Sequence, residues 1–151
     1  MTRAAIDDLA EAIKDALNAE TFSMPFTATR KRKPEFTLEQ LDTLRVTVVP
    51  ASTATEQLTR GKLEDTVKVD VAVQQRLADA EDETEGDALS YLLEQIKDFF
   101  VRYTLTSPAA ECLEINTVEG AEAGYSPAHL RELSVYTGVI RSTWRMERAV
   151  P

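Results

Sequence analysis

Four valines spaced two apart constrain this chain more than any other feature. Val67, Val69, Val71 and Val73 alternate with Lys68, Asp70, Ala72 and Gln74. A period of two belongs to the β-strand, where successive side chains point to opposite faces. The run therefore predicts a strand with one buried and one wetter face, and a second layer against which the valines are buried. Residues 87–103 supply that layer. Leu89, Leu92, Leu93, Ile96, Phe99, Phe100 and Tyr103 recur at helical spacing, while Glu94, Gln95, Lys97 and Asp98 fall on the opposite side. Asp87 is a suitable N-cap for this helix.

The remaining periodic segments complete a small inventory. Ile6, Leu9, Ala10, Ile13 and Leu17 predict a one-faced helix over 2–18, with Asp7 and Asp8 placed to complement its N-terminal dipole. Residues 44–49 read as a strand ended by Pro50, and a polar stretch runs on to Gly61. A third strand is expected over 111–118, with Leu113 and Ile115 on one face. The loop 119–129 holds Gly120, Gly124 and Pro127, and Ser126-Pro127 predicts a short helical turn with Ser as cap and Pro at its first position. A long last strand spans 133–146. Tyr136, Ile140, Trp144 and Met146 share one parity, and Arg141, Thr143 and Arg145 lie on the other. Its far end therefore has a polar face and should project beyond the helix layer.

The predicted order is α-β-β-α-β-β. It describes one α+β domain over residues 1–151, a two-layer sandwich with two helices on one face of a mostly antiparallel four-stranded sheet. Residues 19–43 stand apart. They are irregular, bracket Arg30-Lys31-Arg32-Lys33 between Pro25 and Pro34, and carry Phe22, Phe26 and Phe36. A connection this long is unusual in a compact domain. It is expected to be an extended arm that anchors its rings on the body or on a neighbour and orders on assembly.

Charge narrows the function classes. Seventeen Lys and Arg stand against 26 Asp and Glu, for a net −9. That field disfavours loose attachment to nucleic acid or anionic membrane. The lone Cys112 permits no intrachain disulfide and suits a reducing compartment. The first residues meet acids before any signal-length apolar run, and nowhere do 18 apolar residues run together. The chain is expected to work in solution.

Chemistry is sparse. His129, the only histidine, lies beside Pro127 without a nucleophile near it in sequence, and reads as a surface residue. Cys112 reads as a small buried hydrophobe. The five glycines are scattered singly, with no phosphate-binding loop. No enzyme activity, cofactor or metal site is expected. Residues 79–87 hold Asp79, Glu81, Asp82, Glu83, Glu85 and Asp87 without a basic residue. They lack the ligand alternation of an EF-hand. They read as a solvated loop or, functionally, as the rim or lumen loop of an assembly. The basic run reads as a solvated arm, a weak nucleic-acid contact, or, with Phe26 and Phe36, a docking arm for an acidic partner surface.

Taken together, these segments resemble a known family. The first helix is followed by an aromatic arm ending Glu35-Phe36-Thr37-Leu38-Glu39-Gln40-Leu41. Then come Leu44-Arg45-Val46-Thr47-Val48-Val49-Pro50, the turn Thr59-Arg60-Gly61, and the strand Val67-Lys68-Val69-Asp70-Val71-Ala72-Val73-Gln74-Gln75. An acid-capped helix follows, and Tyr125-Ser126-Pro127-Ala128-His129-Leu130-Arg131-Glu132-Leu133 leads into the final strand. The pattern is similar to tail terminator (tail completion) proteins of long-tailed bacteriophages and related prophage head–tail neck proteins. The resemblance implies a virion protein, assembled in the host cytoplasm. It implies a homo-oligomeric ring, usually a hexamer, that caps the head-proximal end of the tail tube. Its partners would be the tail tube protein and a neck or head-completion protein, with DNA passing through ungripped. The family has no catalytic residues to carry over. Another head–tail connector ring, or a monomeric α+β binding module, are the alternatives.

Overall fold

The computed structural model describes residues 3–33, 36–79, 83–106, 109–118 and 125–150. The chain is α+β. Its elements are α1 (Ala5–Ala19), β1 (Ala28–Arg30), β2 (Arg45–Thr59), β3 (Lys62–Arg76), α2 (Glu83–Arg102), β4 (Leu105–Thr106), β5 (Ala109–Thr117), α3 (Pro127–Leu133) and β6 (Val135–Ala149), with a 3-10 turn at Gln40–Asp42. The sheet order is β1-β2-β3-β6-β5-β4. Among the described residues only the β1–β2 pair is parallel, so the sheet is mixed.

The valine alternation sets the core as expected. Val67, Val69, Val71 and Val73 are fully buried, joined by Val46 and Val48 of β2 and by Tyr136, Ile140, Trp144 and Met146 of β6. Leu9, Ile13 and Leu17 of α1 and Leu89, Leu92, Ile96 and Phe100 of α2 close the same cluster. Each such side chain is worth about 1.5–3 kcal/mol in burial. Trp144 meets the Phe100 ring edge-on, with centroids 6.0 Å apart. The other parity of the valine run is wet only in its first half. Lys68 is exposed and Asp70 is half-buried, but Ala72 and Gln74 are buried where the 3-10 turn packs on β3.

The sheet exceeds the four-stranded expectation in three ways. First, β2 does not stop at Pro50 but runs on through 51–59, pairs with an equally long β3, and turns back at Arg60 and Gly61. Pro50 sits beside a register shift between Pro50 and Ser52. A residue without an N–H is tolerated at such an irregularity. Residues 51–62 are exposed on both faces, so no apolar alternation marks them. Second, β1 emerges inside the arm. Third, β4 adds a two-residue edge.

Two further expectations change. The register shift between Cys112 and Glu114 turns Leu113 out to solvent, so Cys112 and Ile115, not Leu113 and Ile115, pack on the core. The second helix starts at Glu83, not Asp87, and Asp87 lies within it. Glu83 and Glu85 occupy its first turn, where carboxylates favour the helix dipole. Ser126 caps α3 as predicted, its side chain accepting from the His129 N–H, with Pro127 opening the helix.

Candidate functional site

The arm is built from α1 outward. Asn18, near the end of that helix, clamps the chain in both senses: its Nδ2 donates to the Ala28 carbonyl at 3.1 Å, and its Oδ1 accepts from the Ala28 N–H at 2.7 Å. This fixes β1 against β2, with Ala28 opposite Val46 and Arg30 opposite Val48. The Phe22 ring stacks on Phe26 at 5.3 Å and meets Phe99 of α2 edge-on at 6.0 Å. The Ser23 N–H donates to Gln95 Oε1 at 3.0 Å.

The basic run meets carboxylates of its own chain. Arg32 grips Asp7 through two parallel bonds of 2.7 and 3.0 Å, and Arg30 Nε bonds Glu11 Oε2 at 2.9 Å. Such forked pairs are the stronger kind of charged hydrogen bond. The hydrogen bond from Arg32, opposed by burial and helped by the charges of Arg32, Arg30 and Arg3, holds the Asp7 carboxyl below its ordinary value. Glu11 is lowered first by its hydrogen bond with Lys14, with Arg30 contributing less. Lys31 lies over the Phe36 ring, 4.1 Å from the centroid, and Arg45 approaches the same ring at 5.5 Å. Lys33 is exposed at the end of the run.

The arm is not irregular throughout, against expectation: β1 and the 3-10 turn lie within it. Arg30, Lys31, Arg32 and Phe36 come together beside α1 and β2. Phe26 lies apart from them, in the aromatic group with Phe22 and Phe99. The acidic surface that meets Arg30 and Arg32 is the Asp7 and Glu11 face of α1. Asp7 and Glu11 were the unrecognised partners. Their i, i+4 spacing places them on one helix face, a signal the sequence did carry.

The acidic run divides. Glu81 and Asp82 lie outside the described residues. Glu83, Glu85 and Asp87 belong to α2, so they are helix residues rather than loop residues. Glu85 Oε2 accepts from the Ala78 N–H at 3.0 Å and ties the end of β3 to the helix start. Asp79 is exposed before it.

The other chemical candidates have structural partners. His129 Nδ1 is 2.9 Å from Thr137 Oγ1. Cys112 is half-buried, and burial pushes its thiol up, away from the reactive thiolate. A groove of about 470 Å³ runs between the end of α2 and β5, lined by Phe100, Val101, Tyr103, Cys112 and Leu113 among others. Among the described residues no group of three or more His, Cys, Asp or Glu is arranged to hold a metal ion. No described helix is long and apolar enough to cross a membrane. No protein-family model matches the chain, and no curated protein matches it.

Proposed function

We infer that the chain is a structural ring protein of a bacteriophage tail, a tail terminator that caps the head-proximal end of the tail tube and joins it to the neck. One observation carries the reading. Among the described residues the sheet is left without a strand partner on two opposite sides, at β2 beyond its short pairing with β1 and at β5 beyond its short pairing with β4. An unpaired strand edge is a template for another chain, and two on one subunit suit a head-to-tail ring. The resemblance in segment order and phrasing supports the same reading.

In this proposal the subunits form a homo-oligomer, a hexamer in the resembled family, between the tail tube protein and a neck or head-completion protein. Asp79, Glu83, Glu85 and Asp87, with Glu81 and Asp82 in the same run, form the rim of the passage. Their charge keeps DNA moving through without being gripped. The arm, with Lys31, Arg32 and Lys33 exposed, faces the neighbouring protein. Another neck ring of the head–tail junction fits the same features. A monomeric binding module draws support from one observation, the arm latched on its own α1 through Asp7 and Glu11.

The test is reconstitution. Full-length chain added to polymerising tail tube protein should bind tube ends as rings visible by electron microscopy and stop elongation. Converting the six carboxylates of residues 79–87 to Asn or Gln should raise affinity for duplex DNA with the fold intact. Binding along tube sides, or none at all, would set the reading aside.

A further inference from the structure

The two edges left unpaired among the described residues carry matching irregularities. On β2 the register with β3 slips between Gln57 and Thr59, and the residue in the slip, Leu58, is 43% exposed. On β5 the register with β6 slips between Cys112 and Glu114, and the residue in the slip, Leu113, is 48% exposed. A bulge re-aims a side chain away from its own ladder. Here each one presents a leucine to solvent on an edge strand. Leu113 does not stand alone, because Val101 and Tyr103 are exposed with it around the groove between α2 and β5. Leu58 does stand nearly alone, on a ribbon whose residues 51–62 are all exposed.

The charges at the two places also differ in sign. The ribbon tip holds Arg60 and Lys62, and Glu56 lies opposite Glu64 further down the same ribbon. The groove is lined by Glu111 and Glu114, of which Glu111 pairs with Arg145 at 2.6 Å and Glu114 carries no ion pair among the described residues. We propose that the β2–β3 hairpin tip of one copy of this chain docks on the α2–β5 groove of the next, with Leu58 seated against Val101, Tyr103 and Leu113. Arg60 and Lys62 then face Glu114 and Glu111, and the open edge of β2 lies along the open edge of β5. The surfaces lie on opposite sides of the sheet, since β2 and β5 are separated by β3 and β6. The contact is therefore heterologous, and it propagates from copy to copy until it closes. Strand addition of this kind takes affinity from main-chain hydrogen bonds and specificity from side-chain pockets. The proposal rests on the ring reading and names the surfaces that would make the ring.

The test uses the full chain and two variants, Leu58→Asp and Leu113→Asp, each at an exposed position and each checked for unchanged thermal unfolding. Sedimentation should show wild type as an oligomer and each variant alone with every species above monomer mass lost. A one-to-one mixture of the variants should give a species of two chain masses and nothing larger, because only one good hairpin and one good groove remain between them. Should either variant unfold early, Glu114→Lys on the groove side and Arg60→Glu with Lys62→Glu on the hairpin side replace them with the same expected pattern. Variants that keep the wild-type oligomer would overturn this contact and leave the ring standing. A mixture that stays monomeric would overturn the pairing of the two surfaces. Variants that keep that oligomer yet lose binding to the tail tube protein would give the groove to that partner instead of a second copy. Wild type that is monomeric throughout would overturn the contact and the ring together.

Discussion

The Ser142 hydroxyl serves two buried groups at once. It donates to the Val69 carbonyl at 2.9 Å and accepts from the Trp144 indole N–H at 2.8 Å, with both side chains fully buried. Ser142→Ala leaves the indole N–H without an acceptor in a dry core, a loss of about 1–3 kcal/mol. Urea unfolding of the variant should show that loss with an unchanged slope. Ser134 predicts the opposite sign. It ends α3 in the left-handed region, at φ 55°, with its N–H turned back to the His129 and Leu130 carbonyls. Glycine adopts that conformation without steric cost, so Ser134→Gly should gain roughly 0.5–1 kcal/mol in the same assay. Neither residue was legible beforehand. Ser142 and Trp144 share a strand face by parity, but parity names no hydrogen bond. Val71 was legible, since alternation alone placed it in the core, and Val71→Asp should cost several kcal/mol as an unpaired buried charge.

Among the elements, helices and core strands were readable because their apolar periods are strong. The long hairpin and the arm were not. Residues 51–59 carry Thr53, Thr55 and Thr59, good strand formers, yet with both faces wet they show no alternation, and Pro50 masked the continuity. The arm is held by contacts with α1 and α2, far off in sequence or hidden as ordinary surface charges. Its latch gives a pH-dependent prediction. The Asp7 carboxyl titrates lower in the folded chain than in the unfolded one, so its contribution is fully present above the ordinary carboxylate value of about 4. That contribution is lost as pH falls through the lowered folded value. Asp7→Asn should therefore unfold more easily than wild type at neutral pH and show a shallower decline toward acid, the two curves converging at the acid end. The same variant should be cut several-fold faster by trypsin after residues 30–32, because Arg32 has lost its forked partner. Equal cleavage rates would show that Asn18 and the β1 pairing hold the arm without the ion pair.

At the scale of the whole molecule, charge and shape pull against each other. Among the described residues the fold leaves a ribbon and two sheet edges without a strand partner, the surfaces that meet further copies in the proposed ring. Each copy also brings a net charge of −9, so a closed ring of six accumulates six times that charge. Repulsion between the bodies acts over distances comparable to the roughly 8–10 Å Debye length of physiological salt, whereas ion pairs in direct contact are screened less. Added salt should therefore strengthen association, the reverse of an assembly held mainly by surface ion pairs. The most direct measurement is the sedimentation mass of the full-length chain at fixed concentration from low to molar sodium chloride. A single closed oligomer whose population grows with salt is the expected result, and a monomer at every salt concentration would contradict the ring.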